Sequence, residues 1–273
     1  MKATTLIKFG GELLEQPDRL AALAAMLAGV AEHGRLVVVH GGGREIDAAL
    51  ARIGVPKHQV DGLRVTDGQT MGVVVEVLAG TVNTRFVAAI TAAGGRAVGL
   101  TGADGGLAVV EKAPLHVAVG GQTVDLGLVG QPIGDGTPAL LRDLVAAGYL
   151  PVVCSIGVGQ DGTLFNVNAD TLAGHLAGRL QVRRLVIAGA TPGVLDERGR
   201  TVDQLHRAGA EAMVQSGVAS AGMVAKLRAS IAALQAGVEE VLLVDGRDAG
   251  MLASLLDALP GDTTSLPGTR MVV

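Results

Sequence analysis

The sequence predicts an α/β fold built on a mainly parallel sheet covered by helices on both faces. Two strand–glycine–helix units follow one another at the N-terminus, in the βαβα order that belongs to parallel sheets. Residues 36–40, Leu-Val-Val-Val-His, form an unbroken apolar run, as a strand buried on both faces requires. Hydrophobic residues are 49% of 273, enough to bury one large domain or two lobes.

The first strand, Thr4-Thr5-Leu6-Ile7-Lys8-Phe9, breaks at Gly10-Gly11. An Ala/Leu/Met segment over 20–30 is helical and closes at His33-Gly34. After the second strand come Gly41-Gly42-Gly43 and a helix over 44–53, closed by Gly54 with Pro56 shortly beyond. Residues 57–66 read as a hairpin with Asp61-Gly62 at its turn. Thr66-Asp67 then caps a long helix reaching about residue 93. Its Met71, Val73, Val74, Val75, Val77, Leu78, Val82, Phe86, Val87 and Ile90 cover more than one face. Such a helix is central or sits at a subunit interface, and Gly72 and Gly80 are close-packing points or bends.

A strand follows over 96–100. Residues 108–119 and 123–129 form a hairpin around Gly120-Gly121 beside the main sheet. Helices are expected over 138–147, 169–180, 208–215, 223–236 and 251–259. Strands are expected over 150–154, 184–188 and 241–244, with a turn at 197–199 and a short terminal strand. No internal repeat or linker is visible, so any boundary between lobes falls near 170–180, inside continuous structure.

Composition removes several function classes. The 41 glycines are about twice average usage and gather at turns without a period, which excludes collagen and low-complexity linkers. Aromatic residues are reduced to Phe9, Phe86, Phe165 and Tyr149, too few for a base-stacking platform. A net charge of −4 offers no broad basic face, so no nucleic acid partner is expected. Cys154 is the only cysteine, which suits a reducing compartment. No leader-like apolar region and no run of about 18 apolar residues is apparent. A soluble, cytoplasmic protein with no membrane partner is the expectation.

A Walker A motif, zincin-type histidine patterns and Gly-x-Ser-x-Gly are all missing from the sequence. Gly157-Val158-Gly159-Gln160-Asp161-Gly162 runs into Thr163-Leu164-Phe165-Asn166 rather than a helix, so it reads as a hairpin turn and not as a dinucleotide fingerprint. His40 reads as structural, and no histidine spacing points to a metal. Two stretches carry chemistry. Lys8 before Gly10-Gly11 places a cation and bare backbone N–H groups at a strand end. Gly41-Gly42-Gly43, between a buried strand and a helix, lets an anion approach the backbone closely.

Lys8-Phe9-Gly10-Gly11, Val38-Val39-His40-Gly41-Gly42-Gly43, Asp61-Gly62-Leu63-Arg64-Val65-Thr66, Phe165-Asn166-Val167-Asn168-Ala169-Asp170 and Gly222-Met223-Val224-Ala225-Lys226 together resemble the amino-acid kinase family. The resemblance spans nearly the whole chain. It implies a carbamate kinase-like three-layer αβα sandwich, with residues 1–175 as the acyl-substrate and dimerisation lobe and 176–273 as the ATP lobe. It further implies that ATP, with Mg2+, phosphorylates the side-chain carboxylate of N-acetyl-L-glutamate in arginine biosynthesis. Such a nucleophile carries no proton at pH 7, so the site needs positioning and charge neutralisation, not a general base.

By the same resemblance Lys8 and Lys226 supply the cations and Asp170 holds both. Gly10 and Gly11 are phosphate-binding backbone, and Gly42 and Gly43 supply N–H groups to the substrate. Arg64 pairs with the substrate α-carboxylate, where a planar fork suits two oxygens, and Asn166 hydrogen-bonds beside it. No protein residue is assigned to the metal. The nucleotide is assigned to Ala190, Thr191, Pro192, Gly193, Val194 and Leu195, and to Val218, Ala219 and Ser220. Here the chain departs from the family pattern: Ala190 stands where an aspartate is usual and Thr191 where a valine is usual. Arginine-inhibited members carry an extra N-terminal helix, whereas Lys8 lies almost at the start, which implies a homodimer insensitive to arginine. The competing readings are a sister kinase acting on an aminoadipate-type carboxylate and a non-catalytic nucleotide-binding homologue.

Overall fold

The computed structural model describes residues 4–118, 121–134, 138–216, 221–258 and 267–273. One sheet is formed by β1 (Thr4–Phe9), β2 (Arg35–His40), β3 (Ala97–Thr101), β4 (Leu150–Cys154), β5 (Arg184–Gly189), β6 (Gln204–His206), β7 (Glu240–Asp245) and β8 (Thr269–Val272). Their spatial order is β6-β8-β7-β5-β1-β2-β4-β3. All pairings from β7 to β3 are parallel, and β8 runs antiparallel to β7. The sheet is therefore mainly parallel, with β1 near its centre between β2 and β5.

Alternation along each strand divides the core in two. Ile7, Phe9, Val38, Val152, Val186 and Leu242 face one way, against α1 (Pro17–His33), α2 (Gly43–Arg52), α3 (Gly68–Ala92) and, from the far end of the chain, the helix Ala249–Asp257. Leu6, Val37, Val39, Leu185, Ile187 and Val241 face the other way. Against them pack α4 (Ala139–Ala146), α5 (Ala169–Leu180), α6 (Arg207–Ser216) and α7 (Ala221–Gln235); Ala249–Asp257 is then α8. This is the three-layer αβα sandwich expected from the sequence. Full burial of such aliphatic side chains contributes about 1.5–3 kcal/mol each, so the strands' unbroken apolar runs are what commit them to the middle layer.

The long helix α3 opens at Asp67, whose carboxylate accepts from the Thr70 N–H at 2.7 Å. Its middle, Glu76–Asn83, is π-helical, and Val82 and Asn83 at its end are both buried. Gly72 and Gly80 are not close-packing points: a Cβ at either would meet nothing within 4 Å. Gly80 belongs to the widened turn instead. By length and mean hydropathy (1.6), α3 could cross a membrane, because Glu76 and Arg85 are its only charged residues. Here its apolar inner face packs on the sheet.

The hairpin joins Gln59–Val60 to Leu63–Arg64 through Asp61 and Gly62, both at positive φ (48° and 79°), the pairing of conformations that two-residue hairpins favour. Beyond β3 the expected long hairpin is divided. Val110–Lys112 pairs with Gly130–Pro132, and His116–Val117 with Thr123–Val124. Val119 and Gly120 lie outside the described residues. Ile156–Val158 and Leu164–Asn166 form an antiparallel hairpin that turns at Gly162, as the failed dinucleotide motif required.

Candidate active site

Lys8 occupies the last position of β1 that faces the α5 layer, in register with Val39 and Ile187. α5 starts just above it. The Asn168 side chain caps that helix by accepting from the Asp170 and Thr171 N–H groups at 2.9 and 3.1 Å. The Asp170 carboxylate is thereby left for cations, in the first turn where the helix dipole favours it. Lys8 Nζ lies 2.7 Å from Asp170 Oδ1 and Lys226 Nζ 3.1 Å from Oδ2. Lys226 arrives from α7, which packs closely on α5: a Cβ on Gly174 would stand 2.7 Å from the Ala229 carbonyl oxygen.

Burial shapes the charges of this trio. Lys8 is 5% exposed, and its loss of water lowers the ammonium pKa against the pull of Asp170, with Lys226 adding to the lowering. Burial alone would raise the Asp170 carboxyl, but Lys8 and Lys226 outweigh it and hold it below the usual carboxylate range. The trio itself sets one anion against two cations, and the Glu12 carboxylate at the same strand ends also favours the Lys8 charge.

The two glycine turns meet beside these lysines. A Cβ on Gly11 would stand 2.7 Å from the Cα of Gly42, so contact between the strand ends tolerates no side chain there. Gly42 is the N-cap of α2 and Gly43 its first residue, so this helix N-terminus lies at the same cleft. Lys8, Gly10, Gly11, Gly42, Gly43, Arg64, Asn166 and Asp170 all line it. Lys226 approaches Asp170 from outside that lining.

Arg64 is no solvated hairpin charge. It is 8% exposed, and its Nη2 donates to Asp47 Oδ1 and, at 3.1 Å, to the Gly43 carbonyl. Its buried Nη1 has no protein partner, an orphan donor that an anionic ligand would satisfy. Burial raises the Asp47 pKa, but hydrogen bonds from Lys57 and Arg64 outweigh it and hold that carboxyl low. The amide of Asn166 donates to Thr66 Oγ1 at 3.2 Å, and Thr66 donates in turn to the Arg64 carbonyl.

On the other side of the lysines, Ala190, Thr191 and Pro192 form an exposed stretch after β5. It begins next to Gly189, where a Cβ would lie 3.7 Å from Lys226 Cε. Gly193 and Val194 turn inward; the Val194 N–H donates to Thr269 Oγ1 at 2.8 Å. Leu195 is again exposed and bridges to Thr201. Val218, Ala219 and Ser220 lie outside the described residues. Among the described residues no group of three or more His, Cys, Asp or Glu side chains could hold a metal ion; Asp170 is committed to two lysines.

Sequence reasoning missed several neighbours of the cleft. Asp47 anchors Arg64 from α2, one turn beyond the Gly-Gly-Gly run. Glu12 folds its carboxylate over Gly10 and makes no described ion pair. Asn83 reaches His40 behind the glycine turn. Only Glu12, next to the motif, carried a local signal; Asp47 and Asn83 are brought in by tertiary packing.

A family model described as the amino acid kinase family matches residues 3–245. Acetylglutamate kinase of Methanopyrus kandleri is 41% identical over 243 residues, covering 88% of this chain and 94% of the relative. Acetylglutamate kinase of Heliobacterium modesticaldum is 41% identical over 255 residues, covering 89% and 85%. Among solved structures, N-acetylglutamate synthase from Neisseria gonorrhoeae, complexed with coenzyme A and N-acetyl-glutamate, superposes with a TM-score of 0.81 at 27% identity. The match covers 99% of this chain and 59% of that longer one. Giardia lamblia carbamate kinase bound to AMP-PNP shares the fold, with a TM-score of 0.70 at 15% identity over 100% of this chain and 99% of its own.

Proposed function

The chain belongs to the amino acid kinase family, and from that premise we propose that it is an acetylglutamate kinase. It transfers the γ-phosphoryl group of ATP to the side-chain carboxylate of N-acetyl-L-glutamate, giving N-acetyl-L-glutamyl 5-phosphate in arginine biosynthesis. The observation that carries this reading is the buried Lys8–Asp170–Lys226 trio beside two touching glycine turns.

In this reading a carboxylate oxygen of the substrate attacks the γ-phosphorus while the bond to the β,γ-bridging oxygen breaks and ADP leaves. No proton moves. Lys8 neutralises charge on the transferring group and Lys226 on the leaving diphosphate, while Asp170 keeps the two ammonium groups from separating. The N–H groups of Gly11, Gly42 and Gly43 receive the equatorial oxygens; the Gly10 N–H, expected to bind phosphate as well, donates to the Ala188 carbonyl at 2.9 Å and so only shapes the turn. The Nη1 of Arg64 takes the substrate α-carboxylate, with Asn166 beside it. The nucleotide is assigned to residues 190–195, whose Ala190, Thr191 and Pro192 are exposed beside Gly189, and by family resemblance to residues 218–220. Magnesium, bound with the nucleotide, would offset charge on its phosphates; Glu12 is a cleft carboxylate not tied to the two lysines by an ion pair.

A homodimer fits the surface. β3 is an edge strand whose Ala97, Val98 and Leu100 are only half-buried, and the outer face of α3 presents Val75, Ala79 and Val87 next to it. A cytoplasmic setting is part of the same proposal.

The test is a hydroxamate assay for acyl phosphate with ATP, magnesium and either N-acetyl-L-glutamate or N-acetylated aminoadipate. Signal with the first acid and little with the second supports the assignment. The reverse would assign the sister activity, and no turnover with either would leave only a binding role.

A further inference from the structure

Behind the Gly41-Gly42-Gly43 turn lies a buried polar contact that the chemistry above does not use. His40, the last residue of β2, is fully buried, and Asn83 is 5% exposed. The Asn83 amide nitrogen lies 3.0 Å from His40 Nε2 and 2.9 Å from the Val152 carbonyl oxygen. The Val152 carbonyl can only accept, so the nitrogen end of the amide faces it. The second hydrogen of the same NH2 group goes to His40 Nε2 at 3.0 Å, the Leu100 carbonyl oxygen being the longer alternative at 3.5 Å. A neutral imidazole that accepts at Nε2 carries its proton on Nδ1, and Nδ1 stands 3.1 Å from the Gly41 carbonyl oxygen. The chain of donors runs one way: Asn83 to His40 to Gly41.

That direction bears on the cleft. The Gly41 carbonyl and the Gly42 N–H belong to one planar trans peptide and point in opposite directions. Holding the carbonyl against the imidazole turns the Gly42 N–H away from it, toward the cleft that Gly42 lines. The imidazole has little freedom to turn, because Phe86 packs edge-on against it with centroids 6.2 Å apart. Asn83 reaches it from the last position of the widened turn of α3. Burial also pushes the His40 pKa down to about 4, keeping the ring neutral.

We propose that His40 and Asn83 are a positioning pair that fixes the Gly41–Gly42 peptide so that its N–H is held ready for a phosphoryl oxygen. The proposal rests on the reading of the cleft as a phosphoryl-transfer site. One misdirected oxyanion donor costs about 10²–10³-fold in turnover, so the effect of losing the pair is measurable.

The test compares His40→Leu, which removes the donor to Gly41, with His40→Asn, whose amide nitrogen takes the place of Nδ1. Asn83→Leu, which keeps the branched shape of asparagine without its polar atoms, unlocks the tautomer. His40→Leu should lower kcat by about 10²-fold while KM for ATP changes by less than about threefold, and His40→Asn should recover most of kcat. Nitrogen-15 NMR of ring-labelled histidine should show the Nδ1–H tautomer in the wild type and a mixture in Asn83→Leu. Adding AMP-PNP with magnesium should shift the Gly42 amide proton in the wild type and in His40→Asn, but not in folded His40→Leu. The NMR readings need no turnover, so they separate failure of this proposal from failure of the kinase reading. An Nε2–H tautomer in the wild type, or full kcat and a wild-type response of the Gly42 amide proton to AMP-PNP in His40→Leu, would overturn it.

Discussion

Arg64 presents one edge of its guanidinium to Asp47 and Gly43 and leaves Nη1 orphaned in the cleft. Arg64→Gln removes the fork that matches a carboxylate. We predict that it raises KM for the acyl substrate by about tenfold or more while KM for ATP is little changed, as steady-state kinetics would show. The residue was legible in the sequence only through its Gly-Leu-Arg-Val-Thr context. Its burial was not, because Asp47 comes from a different helix and the two meet only once the hairpin folds back on α2. His40 allows a second test at this scale. The unfolded chain takes up a proton at about 6.5, whereas native His40 takes it up only near 4. The stability this contributes is fully present above 6.5 and is lost as pH falls through that window, amounting to about 3 kcal/mol. Chemical denaturation from pH 7 to 4 should therefore show a steeper loss for the wild type than for His40→Leu. Parallel curves would contradict the buried neutral imidazole.

Among elements, the packing of α5 on α7 sets where Lys226 stands relative to Asp170. Gly174 is the closest point of that contact. Gly174→Ala should push the helices apart, cost about 1–3 kcal/mol in thermal unfolding, and lower kcat by moving Lys226, although position 174 touches no ligand. Normal turnover in this variant would show that the helix spacing does not matter to the lysine. The bounds of α5 were readable from the Ala/Leu pattern over 169–180, whereas its cap, Asn168, was not singled out beforehand. The π-helical turn in α3 was not, because hydrophobic periodicity does not distinguish a widened turn from a straight helix. For the same reason Gly72 and Gly80 read as packing points when both are open. β6 was also missed. Gln204–His206 is too short and too polar to announce itself, and it becomes a strand only by pairing with β8.

At the scale of the whole molecule, the parallel order and both cores were legible, because apolar strands alternating with amphipathic helices admit few other arrangements. What local sequence does not carry is convergence: Lys8, Asp170 and Lys226 lie far apart in the chain and meet only through the strand order β5-β1-β2. The exposed β3 edge and the outer face of α3 predict assembly as well. Sedimentation equilibrium should give a dimer, and Leu100→Asp should shift it toward monomer. A monomeric wild type would remove that surface from the account.

The central claim is that Lys8 and Lys226, tied by one buried aspartate, neutralise the transferring phosphoryl and the leaving diphosphate. The most direct measurement is acyl-phosphate formation from N-acetyl-L-glutamate and ATP–magnesium by the wild type, Lys8→Ala and Lys226→Ala, with nucleotide binding followed alongside. Turnover by the wild type, with losses of about 10²-fold or more in each variant and much smaller losses in binding, is the predicted result. Wild-type turnover that survives removal of either lysine would contradict it.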